Sequence, residues 1–349
     1  MSVNVDLDLY FQDLEVKNKF SGVVLITQGE QRLYTGAFGY ASRSWKVPNS
    51  LEIRYDTASI TKLFTAVATL QMIDQGHFDF DTGVIDFLDL EGTNISPEVN
   101  VFHLLTHTSG IGDDADEEAG EVYEDLWKTR PNYMVTTTAD FLPQFVHKPP
   151  NFPPGQGCRY CNVGFVLLGL MIEKASGINY RDYVRRFIFK PARMDHSDFF
   201  HMAHANPQVA EGYDPIFKDD ELVGWKRNIY SFPPIGSPDG GAQVTAYDLD
   251  RFLRSVRAGE LLSPELTEAF FTPQVDYRDH GSWTQKYGYG MWFYVENGTD
   301  EVICCQRECI NAGVSGMIRH YPKRDLNVVI LSNMESGAWK PMRHIHDLV

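Results

Sequence analysis

Apolar positions recur with strand-like character at both ends of the chain and with helical spacing in between. FSGVVLI (20–26) and RLYTGAFGYA (32–41) are β-rich runs broken by Gln28-Gly29-Glu30, which predicts a hairpin. A short amphipathic helix over 5–18 precedes it. Thr57 to Gln75 predicts a longer helix ending before Gly76, with Leu63, Val67, Leu70 and Asp74 stepping down one face, the first three apolar. Residues 97–108 predict a short helix beginning at Ser96-Pro97. FPPGQGC (152–158) is loop chemistry ahead of a helix from Asn162 to Ala175, stopped by Ser176-Gly177. Further helices are expected over Tyr180–Phe189, Thr245–Ala258, near Pro264, and over 337–349, whereas 205–240 reads as irregular. From Tyr287 onward β-type runs return as YGMWFYV, EVICCQ, GMIRHY and NVVILSN.

This layout predicts an α+β fold: an antiparallel sheet built from both termini, flanked by helices, with an inserted, mostly helical lobe. The expected division is one unit over 1–349, with a sheet lobe from 1–56 plus 241–349 and a helical lobe from 57–240. There is no internal repeat and no linker long enough to separate independent domains.

Composition narrows the function classes. Hydrophobic residues make up 43% and charged residues 22%, ordinary for a globular chain of 349 residues. The formal charge of −16 repels phosphate backbones and anionic membranes, so nucleic acid is a poor partner and a small-molecule or short peptide-like substrate a better one. No secretory leader and no membrane-length apolar run is apparent, which reads as cytoplasmic. The five cysteines fall into two groups, Cys158/Cys161 and Cys304/Cys305/Cys309. An odd count argues against a disulfide framework, and Cys158-x-x-Cys161 lacks a second ligand pair for zinc. Reduced thiols without a metal are expected. Residues 113–125 carry eight Asp or Glu, expected as a solvated surface, with attraction of cationic substrates as the sharper alternative.

Ser59-Ile60-Thr61-Lys62 is the sharpest chemical signal. Positions i and i+3 share a helix face, so Ser59 and Lys62 can touch. A serine hydroxyl needs a neighbouring base, and a lysine in a dry site has a lowered pKa and can take its proton. A helix N-terminus beside the serine favours an oxyanion. Average residue usage yields roughly one Ser-x-x-Lys per chain of this size, so the pair alone is also readable as an N-cap serine and an exposed lysine. Tyr160-Cys161-Asn162 adds a phenol able to share a proton with a lysine and an amide able to orient a carbonyl.

With these elements in place, the chain resembles the serine β-lactamase and penicillin-binding-protein superfamily, in its class C, D-alanyl-D-alanine carboxypeptidase and esterase branch. The matching segments run in family order across nearly the whole chain: FSGVVLI with AFGYA, YDTASITKLFTA, FHLLTHTSGI, FPPGQGCRYCNVGFVLLGLMIEKASG, Gly240-Gly241 before TAYDLDRF, YGYGMWF and NVVILSN. The resemblance implies a serine hydrolase that works through a covalent acyl-enzyme on an ester, amide or β-lactam carbonyl, without a cofactor. It implies Ser59 as nucleophile, Lys62 as its partner in proton transfer, Tyr160 as general base or relay, and Asn162 as a substrate-orienting residue. Which of Lys62 and Tyr160 takes the first proton is left open, since they titrate as a unit. His107, in Thr-His-Thr-Ser-Gly, is implied to be structural.

The family's third motif, Lys-Thr-Gly or His-x-Gly, is placed within CINAGVSGMIRHY. The match is Asn311-Ala312-Gly313; an ungapped match to Gly316 puts Ile310 at the cationic position instead. In both placements the usual Lys or His is missing. Gly313 keeps the small residue, and the Val314 N–H becomes the candidate second oxyanion donor beside that of Ser59. The missing cation favours an esterase or amidase acting on a less anionic substrate. It also leaves room for a non-catalytic binding or sensor protein, or an acyltransferase, on the same fold.

Overall fold

A computed structural model describes residues 3–349. Its centre is an eight-stranded antiparallel sheet. In chain order the strands are β1 (Gly22–Gln28), β2 (Gln31–Phe38), β3 (Val275–Asp279), β4 (Trp283–Tyr287), β5 (Trp292–Glu296), β6 (Val302–Asn311), β7 (Val314–Tyr321) and β8 (Leu326–Ser332). Across the sheet the order is β2-β1-β8-β7-β6-β5-β4-β3. The N-terminal hairpin thus pairs directly with the C-terminal strand, Gly22 opposite Ser332 and Gln28 opposite Leu326. Strands β1, β7 and β8 are buried along almost their whole length. That is why β1 and β8 read as nearly continuous apolar runs rather than alternating ones, while β7 buries Ser315, Arg319 and His320 among its apolar residues.

The principal helices are α1 (Val3–Val16), α2 (Lys62–Asp74), α3 (Asn162–Ser176), α4 (Ala246–Arg257) and α5 (Trp339–His346). α1 and α5 cover one face of the sheet, packing Leu7, Phe11, Met342 and Ile345 against Val24, Val328 and Ile330. α2, α3 and α4 share the other, larger core with Val23, Leu25, Val329 and Leu331. α2 and α3 are buried almost all round, and their apolar residues lie on every face. α4 is a surface helix with one apolar face, capped by Thr245 Oγ1, which accepts from the Asp248 N–H.

Several elements depart from the sequence expectation. The helix expected from Ser96-Pro97 begins only at Val101, because Asn100 and His103 form a reciprocal capping box there. Residues 205–240, expected as irregular, contain a hairpin of Tyr213–Lys218 with Glu221–Arg227. β3 and β4 lie upstream of Tyr287, where polar residues on a solvated sheet edge hide the strand period. The helix over Tyr180–Phe189 is helical to Val184 and closes in a wider π turn over Arg185–Phe189. Among the described residues, no helix is long and apolar enough to cross a membrane.

Asp250, 2% exposed on α4, ties that helix to the sheet. It accepts from Thr27 Oγ1 of β1 at 2.7 Å and Asn327 Nδ2 of β8 at 2.8 Å, and Arg254 Nε lies 3.1 Å from its other oxygen. Asp250→Ala leaves two buried donors and a cation without their acceptor. The expected cost is about 2–4 kcal/mol, read as a lower denaturation midpoint in urea. An unchanged midpoint would remove Asp250 as the tie between α4 and the sheet.

Candidate active site

Strand β5 pairs with β6 only as far as Gln306. The remainder of β6, Arg307 to Asn311, keeps its β7 partner and meets the turn before α2 on its other side, where Arg307 Nε reaches the Ser59 carbonyl. That turn, Ala58–Thr61, is a 3₁₀ segment leading directly into α2. Ala58 has φ of +35°, a conformation unfavourable for a residue with a Cβ. Asp56 Oδ1 accepts its N–H at 2.7 Å, and Gly241 N–H donates to its carbonyl at 3.3 Å. Gly241 itself has φ of +90°, and a Cβ there would stand 2.8 Å from the Gly236 Cα, so glycine is required at this position of the segment facing the turn. The result is a half-buried Ser59 projecting from the base of α2 into a cleft of about 580 Å³.

The side-chain geometry around Ser59 is dense. Lys62 Nζ donates to Ser59 Oγ at 3.2 Å, to Asn162 Oδ1 at 2.7 Å and to the Asp239 carbonyl at 2.6 Å. All three ammonium hydrogens therefore have acceptors, yet none of those acceptors is charged. Lys62 is fully buried, and burial is the main cause that lowers its pKa to about 8; Arg307 lowers it further, while Asp239, Glu117 and Asp113 oppose. Tyr160 Oη donates to Ser59 Oγ at 2.7 Å and accepts from Arg307 Nη2 at 2.7 Å. Burial raises its pKa despite Arg307, so the phenol is neutral at pH 7.

Asn162 is the first residue of α3, and Asp113 sets its place. Asp113 Oδ2 and Oδ1 accept from the N–H groups of Asn162 and Val163 at 2.8 and 3.0 Å, satisfying two unpaired donors at the helix start. His107 sits in a left-handed turn with φ of +57° and makes no hydrogen bond to Ser59. Its ring packs against Tyr160, Tyr287 and Phe165, and Nδ1 accepts from the Cys161 N–H at 3.2 Å. Burial holds it neutral, with its pKa well below the usual range. Its geometry is that of a spacer behind Tyr160.

The structure thus joins Ser59, Lys62, Tyr160 and Asn162 in one hydrogen-bonded group. The third-motif residues separate. Asn311 lines the cleft with Ile310 and Ser59, but Gly313 and Val314 do not; they line a neighbouring chamber. Gly313 is the turn between β6 and β7, with φ of +63° and its N–H given to Asp214 Oδ1 at 2.6 Å. Val314 lies beyond that turn, 3% exposed and opposite Asn311 in the β6–β7 register. The Val314 N–H as second oxyanion donor is therefore a misplacement. It followed from taking a turn glycine for the glycine of the strand edge.

The expectation of a missing cation is corrected by the same geometry. Arg307, earlier on β6, is 1% exposed and supplies the positive charge. Its Nε donates to the Ser59 carbonyl at 3.0 Å, Nη1 to Tyr287 Oη at 3.0 Å and Nη2 to Tyr160 Oη. The available signal in the sequence was a lone arginine in the run VICCQREC, since a charge in a buried strand needs a reason. The acidic segment also departs from a solvated surface. Asp113 and Asp114 are buried, Asp116 pairs with Arg159, Glu117 lines the cleft, and Glu118 accepts from the Tyr160 N–H at 3.0 Å. Cys158 and Cys161 do not form a pair of ligands: Cys158 Sγ points to the Thr106 carbonyl and Cys161 Sγ to that of Ile111.

Comparison with known proteins agrees with this architecture. The Beta-lactamase family model matches residues 7–346. The chain belongs to the beta-lactamase family. It is 27% identical over 346 residues to penicillin-binding protein 4* of Bacillus subtilis, covering 95% of this chain and 72% of that one. It is 27% identical over 285 residues to esterase EstB of Burkholderia gladioli, covering 76% and 72%. The crystal structure of a penicillin-binding protein from Bacillus halodurans superposes with a TM-score of 0.90 at 37% identity, over 98% of this chain and all of that one. Membership in this beta-lactamase-related family makes the chain a serine hydrolase.

Arg307 is a like-charged neighbour of Lys62. Arg307→Gln removes that repulsion, so the Lys62 titration is expected to move above about 8. NMR of the lysine ε-carbons, with Lys62 assigned by substitution, measures it. A midpoint that stays put or falls would show that Arg307 does not act on the Lys62 ammonium.

Proposed function

We propose that Ser59 is acylated by an ester or amide whose acyl part carries no carboxylate at the cleft, and that water then releases the acid. The observation that carries this reading is the pair of hydrogen bonds converging on Ser59 Oγ, one from a buried lysine and one from a buried tyrosine. Burial moves the two groups in opposite directions. It brings the Lys62 ammonium down to about 8, where a useful fraction is neutral amine near pH 7, and takes Tyr160 away from the phenolate. Lys62 is therefore the first base, and Tyr160 the relay.

In the proposed sequence neutral Lys62 takes the Ser59 hydroxyl proton as Oγ attacks the carbonyl carbon. The negative oxygen is held by the main-chain N–H groups of Ser59 and Ile310, the latter on the free edge of β6. As the tetrahedral species collapses, the proton passes from Lys62 through Tyr160 to the leaving oxygen or nitrogen. Arg307 stabilises negative charge on the Tyr160 oxygen during that relay. Water repeats the steps on the serine ester with the same groups. Asn162 keeps Lys62 in place and presents its amide to the substrate.

The substrate preference follows from where charge faces. Arg307 spends Nε, Nη1 and Nη2 on protein oxygens and does not line the cleft. Asp56, Glu117 and Asp239 do line it. An anionic substrate meets carboxylates there, while a neutral or cationic one does not.

A fluorophosphonate is expected to add once to the wild type by intact mass and not at all to Ser59→Ala. The labelling rate is expected to rise with pH through about 8 and then level, because the reactive form has neutral Lys62. A penicillin, which carries a carboxylate, is expected to label more slowly. No adduct in folded wild type would eliminate the covalent mechanism, and a rate that falls with rising pH would eliminate Lys62 as the base.

A further inference from the structure

Two small hairpins meet on a surface outside the Ser59 cleft, and no residue of either lines that cleft. One joins Tyr40–Ser42 to Val47–Pro48 and turns through residues 43–46. The other joins Tyr213–Lys218 to Glu221–Arg227 and turns at Asp219 and Asp220, left-handed with φ of +51° and +64°. The first turn rests on the foot of the second hairpin. The Arg43 and Ser44 N–H groups donate to Tyr213 Oη at 3.0 and 3.4 Å, and the Arg43 guanidinium lies 3.5 Å from the centre of the Trp225 ring.

Both hairpins carry apolar side chains that nothing covers. Trp45 is 82% exposed and Phe217 61%, and Val47, Ile216, Leu222 and Val223 are exposed as well. None of the six belongs to either apolar core. The 213–227 hairpin is a sheet of two strands only, and two strands alone bury too little to be secure in water. A grouping of exposed apolar residues rimmed by charge marks a contact surface.

The charges on the two hairpins are opposite. The first turn has Arg43 and Lys46 and no acid, whereas the second tip has Asp219, Asp220 and Glu221 beside a single Lys218. Among the described residues, Lys46, Asp219, Asp220 and Glu221 make no ion pair. Turn and tip do not meet within one copy. Trp225, against which the turn rests, is four residues from Glu221, which is about 14 Å along a strand. The formal charge of −16 keeps copies apart in general, so a contact between them has to set base against acid. One molecule carries both halves of such a contact on one surface.

We propose that two copies of this chain dock reciprocally through these hairpins, the acidic tip from Phe217 to Leu222 of each lying on the basic, aromatic turn from Arg43 to Val47 of the other. A two-fold axis makes the same contact twice. Tryptophan and arginine, both present in the turn, are the residue types that carry most of the energy at protein contacts. The proposal is independent of the chemistry at Ser59.

Sedimentation velocity of the full chain tests it. A dimer is expected, with a dissociation constant on the order of 10 µM, as suits a small interface. Trp45→Glu is expected to weaken it by about tenfold or more. Lys46→Asp and Glu221→Lys each set like charges together and are expected to weaken it by about threefold or more, while the two combined restore the wild-type constant within about twofold. Asp tolerates the left-handed φ of +53° at Lys46, and an unchanged melting temperature shows each variant folded. A wild type that stays monomeric to about 200 µM would overturn the proposal. So would a dimer indifferent to Trp45→Glu, or a double variant no tighter than its singles. Growth beyond the dimer would overturn the reciprocal arrangement.

Discussion

Everything at the Ser59 cleft depends on a lysine ammonium held out of water with only neutral acceptors. A charged amine so placed is expensive, and the protein offsets the cost with three oxygens rather than a carboxylate. A carboxylate partner would hold the amine in its charged form and remove its basicity. Neutral acceptors steady the ammonium while leaving its proton easy to lose. The placement of Asn162 by Asp113, and of the Asp239 carbonyl by its own segment, serves this one constraint.

The sheet supplies the second cation without competing for the first. Arg307 stands on the part of β6 that β5 no longer pairs, so its guanidinium can reach across to Tyr160 and to the Ser59 carbonyl. Its planar fork makes three separate hydrogen bonds, which a lysine could not fix in the same directions. Two buried cations in one site repel, and that repulsion acts in the same direction as burial on Lys62.

How much of this was legible in the sequence depends on the kind of signal. Local spacing carried Ser59-x-x-Lys62 and Tyr160-x-Asn162, because neighbours on one helix or turn are tied by backbone geometry. The buried strands β1 and β8 were legible as apolar runs. β3 and β4 were not, since a polar, half-exposed edge has no period to read. Arg307 escaped because its partners, Tyr160 and Tyr287, lie 147 and 20 residues away along the chain. Glycine spacing in the sequence points to Gly313, and Gly313 belongs to a turn. The role of Asp113 was hidden for a similar reason: eight acids within residues 113–125 resemble a surface, and only the fold shows which carboxylate meets a helix end.

That turn has a consequence for the charge of the active site. Along β6, Gln306, Arg307 and Glu308 follow one another, and alternate residues face opposite sides of the sheet. A slip of one position would exchange the guanidinium beside Tyr160 for a neutral amide or for a carboxylate. The β6–β7 register is pinned at its end by Gly313, where a Cβ would come within 2.6 Å of the Tyr213 backbone nitrogen. The sign of the charge facing Tyr160 is therefore decided at a hairpin tip outside the cleft, by a residue that carries no charge and no side chain.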